Sequence, residues 1–412
     1  MTNFAWNVER VLPSAIADLH KLISIPSISS MPEHDADVAA CAEAVAGLFQ
    51  DLGASEVKFL EGGGKPAVWA NFPGPEGTPT VLLYAHYDVQ PTGDIEAWTS
   101  PAFEPTERDG RLYARGSADD KGGVALHLAA LRVFNGAPPV GVKVFIEGEE
   151  EIGSPTMPTL LDRYRDELAA DVYVVADSVN WEVGKPSLTT SLRGVAACEV
   201  TVSTLAEGLH SGQFGGVVPD ALTALCRLLA TLHDEAGNVA IEGLVSEPGP
   251  DLDYPEDRLL EETGLLEGVS QIGDGSVVER MWFKPAASVL AIDATPVAKA
   301  SNTLIPSARA KVSVRLVPGQ DPAAAAKALE DHLRRNAPWG AHVDVVAGQC
   351  GAPGRITLDG PRAEAARAAF REAFGVEAVE IGCGGSIPIV AEFADRNTGA
   401  LVLVTAVTDP NS

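Results

Sequence analysis

The chain of 412 residues is poor in basic groups: 30 Lys and Arg stand against 57 Asp and Glu, a formal net charge of −27. A field of that sign repels nucleic acid and anionic membrane surfaces, so neither is expected as a partner. It suits cation binding, and equally a protein that is merely soluble. Cysteines number five, at Cys41, Cys198, Cys226, Cys350 and Cys383. They are odd in number, scattered and without a CxxC pair. This argues against a disulfide scaffold or a thiolate zinc site and points to a reducing cytoplasm. No apolar run approaches the ~20 residues needed to cross a bilayer. The first residues, Met1 to Trp6, carry neither a basic segment nor an apolar stretch, so no secretory signal is expected. Internal repeats and low-complexity tracts are also missing.

What is present has the balance of a globular protein. Hydrophobic residues make up 46% and charged residues 21%, and at ~150 residues per domain the length allows two or three domains. Val8, Val11, Leu12, Ile16 and Leu19 recur at helical spacing, as do Val38, Cys41, Val45, Leu48 and Leu52 before Gly53. Apolar runs at 81–85, 140–146 and 172–176 read as buried strands, with helices near 124–134 and 159–168 between them. Alternation of this kind predicts an α/β domain on a largely parallel sheet. The texture changes near Ser191. Strands at 198–203 and 310–317 and helices at 219–234 and 322–335 follow an α+β pattern, after which α/β texture returns with a helix at 361–374 and an apolar run at 400–407. The expected division is a discontinuous first domain, 1–191 with 351–412, interrupted by an inserted domain at 192–350.

Four segments could carry chemistry. In Leu83-Tyr84-Ala85-His86-Tyr87-Asp88, His86 and Asp88 fall on one face of extended chain, and a carboxylate beside an imidazole can fix its tautomer and free the other nitrogen for a metal. An ordinary polar strand end looks the same. Asp119 and Asp120, before Lys121-Gly122-Gly123, either cap a helix or supply a carboxylate that bridges cations. Four glutamates lie within 147–151, and like charges so close repel unless cations neutralise them. A solvated acidic loop is the alternative. Asp177 follows the apolar run Val174-Val175-Ala176 and alone would be a turn residue. Together the four place His, Asp and Glu at successive β-unit ends, the donors that zinc accepts, where α/β folds form their ligand crevices.

These segments resemble the co-catalytic dinuclear zinc metallopeptidases: carnosinase-type dipeptidases, glutamate carboxypeptidases, acetylornithine deacetylase and succinyl-diaminopimelate desuccinylase. The resemblance runs through His86-x-Asp88, Gly116-x-x-Asp119-x-Lys121-Gly122, Glu150-Glu151-x-Gly153-Ser154, His210-Ser211-Gly212, Asn302-x-x-Ile305-Pro306 and Gly384-Gly385-Ser386-Ile387-Pro388. It implies a catalytic domain interrupted by a lid and dimerisation domain, and two divalent ions, zinc first with manganese or cobalt as alternatives. His86 and Asp177 would bind one ion, Asp119 would bridge both, and Glu151 would bind the other. Glu150 aligns with the general base, Asp88 with the carboxylate that orients His86, and Asp119–Asp120 with a cis peptide bond. His210 would reach the active site of a partner subunit in a homodimer and polarise the scissile carbonyl. Without the resemblance it reads as a satisfied loop histidine. Arg315 could grip a substrate carboxylate or be a surface charge on a strand. Asn302 and Ser386 are further candidates for substrate contact. Relatives also carry a histidine shortly after the last strand. None of His20, His34, His127, His233, His332 and His342 is an evident substitute, so the second metal site is expected to lack that ligand within this sequence. His127, on a helical apolar stripe, reads as core. The expected activity is hydrolysis of dipeptides or small peptides in the cytoplasm. An N-acyl amino acid deacylase and a catalytically silent binding relative are the alternatives.

Overall fold

The computed structural model describes residues 4–385, 387–396 and 399–410. The chain divides into two compact units, one within residues 1–190, 356–381 and 387–412, the other within 191–355 and 382–386.

The first unit is built on a six-stranded sheet in the order Glu56–Leu60, Ala67–Phe72, Gly141–Glu147, Thr80–His86, Val172–Val175, Leu401–Val404. The first two pairings are antiparallel and the remaining three parallel. The helices Asp35–Asp51 and Lys121–Val133 bury Val38, Val45, Phe49, Val124 and Leu128 against Val68, Phe72, Val144 and Ile146 of this sheet. Central strands covered on both faces must be apolar nearly throughout, which is why the runs at 81–85 and 140–146 were legible. Two details differ from the sequence expectation. The predicted helix at 159–168 is two pieces, Met157–Arg163 and Arg165–Leu168, broken at Tyr164 with φ −115° and ψ 39°. Asp119 does not follow a strand of the main sheet. It ends a long excursion from His86 that includes the small hairpin Thr106–Arg108 with Arg111–Tyr113.

Register decides where the polar residues emerge. His86 pairs with Glu147, and the backbone N–H of Tyr87 donates to the Glu147 carbonyl at 2.9 Å. Val175 pairs with Tyr84, and the N–H of Ala176 donates to the Tyr84 carbonyl at 3.1 Å. Three neighbouring parallel strands therefore end together, and His86, Asp177 and the glutamates after Glu147 leave the sheet at one edge. Gly148 makes this edge possible: a Cβ there would lie 2.2 Å from the Tyr87 hydroxyl, so a side chain cannot be accommodated.

The second unit is a four-stranded antiparallel sheet, ordered Ala286–Asp293, Ser307–Leu316, Gly194–Ser203, His342–Gly351. The helices Ala221–Ala230 and Pro322–Arg335 cover one face, where Leu225, Leu228, Leu329 and Leu333 meet Val200, Val202, Val312 and Val314. Along Ser307–Leu316 burial alternates, leaving Arg309, Lys311 and Arg315 exposed.

Candidate metal centre

His86 is fully buried at the end of its strand. Its Nδ1 lies 3.0 Å from the Asp88 backbone carbonyl and 3.4 Å from Asp88 Oδ1. A proton on Nδ1 satisfies that side and leaves Nε2 with a lone pair directed away from it. Nε2 makes no hydrogen bond, although Asp119 Oδ1 stands 3.0 Å away and Asp177 Oδ2 4.0 Å away. Ligand atoms of His86, Glu150 and Asp177 all lie within 4.8 Å of one another.

Asp88 has a second task that the motif does not reveal. It is fully buried, and its two carboxylate oxygens accept the backbone N–H groups of Glu150 (3.2 Å) and Glu151 (3.1 Å). One side chain thus ties the loop after His86 to the turn that carries both glutamates. The two aspartates at 119 and 120 divide the alternatives the sequence left open. Asp120 is the cap: Oδ1 accepts the N–H of Gly123 at 3.2 Å, at the start of the helix Lys121–Val133. Its Oδ2 accepts the His86 N–H at 3.1 Å. Asp119 faces the imidazole, and the Asp119–Asp120 peptide is cis.

The four glutamates part company in the same way. Glu147 is buried and accepts hydrogen bonds from the Tyr84 hydroxyl and from Ser154 Oγ at 3.0 Å. Glu149 is buried against the N–H of Lys65 (2.9 Å) and the Thr156 hydroxyl. Only Glu150 and Glu151 remain for chemistry. Glu151 is gripped by Gln90, whose backbone N–H donates to Oε1 at 3.1 Å and whose Nε2 donates to Oε2 at 2.8 Å. The motifs single out neither Gln90 nor a separate role for Glu147 within the glutamate cluster. The signals were there: His86, Asp88 and Gln90 alternate with period two, and Glu147 ends a buried strand.

Charge explains what this arrangement needs. Burial pushes the Glu150 carboxyl up to about 9, with Asp177, Glu147 and Glu151 adding repulsion against the relief offered by His86. Burial lifts Glu151 to about 7 and Asp177 to about 6, and Asp119 adds to both. Burial opposes a charge on His86, yet Asp119, Asp88 and Asp177 outweigh it and raise its pKa well above the ordinary imidazole value. So many acids cannot ionise together without positive charge among them. An imidazole nitrogen without a hydrogen bond, ringed by carboxylate oxygens, fits a divalent cation, which takes the place of those protons.

The remaining candidates belong to the second unit. His210 pairs with Thr303 in the two-stranded ribbon Leu209–His210 with Thr303–Leu304, and the N–H of Ser211 donates to the Asn302 carbonyl at 2.9 Å, so His210 and Asn302 are neighbours. His210 is exposed, and its Nδ1 accepts the N–H of Gly212 at 3.1 Å. The proton of the neutral ring is then on Nε2, which has no hydrogen-bond partner among the described residues. Arg315 is exposed on Ser307–Leu316. Ser386 lies outside the described residues.

A mostly parallel sheet whose strand ends gather an imidazole and several carboxylates defines a metal-dependent hydrolase. Residues 82–401 match the model of the Peptidase family M20/M25/M40, and the chain belongs to that family. It is a metallopeptidase, as the resemblance in its motifs implied. The chain is 35% identical to the cysteinylglycine-S-conjugate dipeptidase of Corynebacterium striatum over 99% of its own length and 90% of that protein. It is 30% identical to the β-Ala-His dipeptidase of Rattus norvegicus over 82% of its length and 73% of that protein. The solved structure of the dipeptidase Dug1p from Saccharomyces cerevisiae shares the fold, with a TM-score of 0.86 at 23% identity, covering 98% of this chain and 92% of that one.

Proposed function

We propose that the protein hydrolyses the peptide bond of dipeptides or small peptides, with Glu150 as general base. The observation that carries this is the buried His86 Nε2 without a hydrogen bond, its neighbours Glu150 and Asp177 presenting ligand atoms within 4.8 Å. His86, Asp119 and Asp177 would hold one divalent ion, and Asp119 with Glu151 a second. Mixed nitrogen and oxygen donors favour zinc, with manganese and cobalt as the tested alternatives. Bound there, such ions lower the pKa of water and polarise a carbonyl.

The chain's own groups do the rest. Asp88 fixes the imidazole orientation through its carbonyl and carboxylate and holds the Glu150 turn in place. Glu150 accepts a proton from the attacking water and delivers it to the departing amine. His210, with its Nε2 proton free, donates to the carbonyl oxygen as negative charge develops there. Arg315 is the proposed anchor for a substrate carboxylate, with Asn302 and Ser386 as further contacts. The unit around the metal centre is thus the catalytic domain, and the unit at 191–355 the lid.

A homodimer through that lid is part of the proposal, supported by the sheet-edge strand Ala286–Asp293, where Val289, Leu290 and Ile292 are exposed. Five free cysteines support a reducing, cytoplasmic setting. Among the described residues, no helix is long and apolar enough to cross a membrane. The two curated relatives are named for dipeptides, which favours peptide substrates over N-acyl amino acids. The test is a panel of dipeptides beside N-acetyl and N-succinyl amino acids, with zinc, manganese or cobalt added to the purified protein. Turnover of dipeptides is expected, and hydrolysis confined to the N-acyl compounds overturns the proposal.

A further inference from the structure

We propose that Gln90 is a positioning residue for metal binding: it holds the Glu151 carboxylate in the orientation that the second divalent ion requires. The inference rests on Glu151 as a metal ligand.

Three hydrogen bonds run from this one residue to Glu151: backbone N–H to Oε1 at 3.1 Å, Nε2 to Oε2 at 2.8 Å, and Nε2 to the Glu151 carbonyl at 3.1 Å. The third matters as much as the others, because it ties the amide to the backbone of the turn as well as to its side chain. Glu151 is gripped from a third direction by Asp88, which accepts its N–H at 3.1 Å. The segment 88–90 therefore sets both where Glu151 starts and where its carboxylate ends.

The donors are all neutral. Among the described residues no Lys, Arg or His forms an ion pair with Glu151. A partly buried carboxylate beside Asp119 and Asp88 is ordinarily stabilised by a cation. An amide instead fixes the geometry and leaves the charge uncompensated. Each carboxylate oxygen accepts one of the two Gln90 bonds and keeps a lone pair. A clamp that orders the side chain without neutralising it is what a ligand to a divalent ion needs, since the entropy of freezing the glutamate is spent before the ion arrives.

The test is a zinc titration of the metal-free, full-length protein against a chromophoric chelator, comparing wild type with Gln90→Ala and Glu151→Gln. The melting temperature of each metal-free variant is recorded alongside. Glu151→Gln is expected to weaken or abolish one of two binding events. Gln90→Ala should weaken that same event by about 10–100-fold, leave the other unchanged and leave the metal-free melting temperature at the wild-type value. If Glu151→Gln weakens binding but Gln90→Ala does not, the positioning role is wrong. If Gln90→Ala weakens both events alike or lowers the metal-free melting temperature, the residue is merely structural and the proposal fails. If Glu151→Gln itself binds as wild type, Glu151 is not a ligand and the underlying reading falls.

Discussion

His86 is wholly buried, with Asp88, Asp119 and Asp177 carboxylates within 4.0 Å of its ring nitrogens and Asp120 accepting its backbone N–H. His210, in the other unit, is exposed, and its one side-chain hydrogen bond among the described residues is to the N–H two positions on. Around the first histidine the fold has fixed the orientation of the ring and gathered acids about it before any ligand arrives. Around the second it has fixed only the tautomer. A preorganised group contributes through geometry already in place. An exposed group is free to be completed by something else, which under the proposed function is, for His210, the active site of a second copy. The proposed dimer would account for that contrast.

The largest effect is expected where the preorganisation is greatest. Glu150→Gln keeps the side chain's size and its N–H to Asp88 but removes the base. The turnover number should fall by about 10²–10⁴-fold while metal content, read by atomic emission, stays at the wild-type level. Wild-type turnover in this variant rules out the role. Asp119→Ala is the counterpart: it should release metal, and unchanged metal content contradicts the bridge.

The next effect tests the exposed side of the contrast. His210→Ala should lower the turnover number by about 10²–10³-fold, the range for removing one donor to a developing oxyanion, without loss of metal. A mixture of Glu150→Gln and His210→Ala chains should then regain activity, because a mixed dimer pairs an intact Glu150 with an intact His210 from the other chain. Failure to recover, in a sample shown by native mass spectrometry to contain mixed dimers, places His210 outside the partner's site.

How far the sequence reveals this site depends on the residue. His86 and Asp177 stand at or just beyond apolar strands, and a strand buried on both faces announces its end by the first polar side chain. The sheet edge was therefore legible from the runs at 81–85 and 172–176 alone. The sequence pattern does not predict the strands at 56–60, 67–72, 286–293 and 342–351. Ala286–Asp293 and His342–Gly351 form the two edges of their sheet and are largely exposed, so they lack the buried alternation that marks Ser307–Leu316. The glutamate run was legible as a cluster, but its division was not. Whether Glu147 turns to Tyr84 or Glu149 to Lys65 depends on contacts 63 and 84 residues apart in the chain. Gln90 is not legible in the sequence because a neutral amide carries no sign of its own; its meaning comes from a partner 61 residues away.

His127 supplies a control for the comparison: a histidine as buried as His86 but without its carboxylates. It lies on the helix Lys121–Val133 and is 2% exposed, with Nε2 donating to the Tyr84 carbonyl at 2.8 Å. Burial pushes its pKa down to about 4, the hydrogen bond to Tyr84 opposing only in part. In the unfolded chain the value returns to about 6.5. Between those two values the unfolded state binds a proton that the native state refuses, so stability falls as the pH drops from about 6.5 to about 4. The difference amounts to about 3 kcal/mol from this residue at the acid end, at about 1.36 kcal/mol per pKa unit. His127→Gln keeps an N–H donor and removes the titration. Urea unfolding of the metal-free protein from pH 7 to pH 4 should therefore lose about 3 kcal/mol less in the variant than in wild type. Parallel stability profiles for the two proteins would show that His127 does not titrate as a neutral core residue. Lack of a difference there would also remove the contrast with His86, whose surrounding acids raise its pKa where burial alone lowers that of His127.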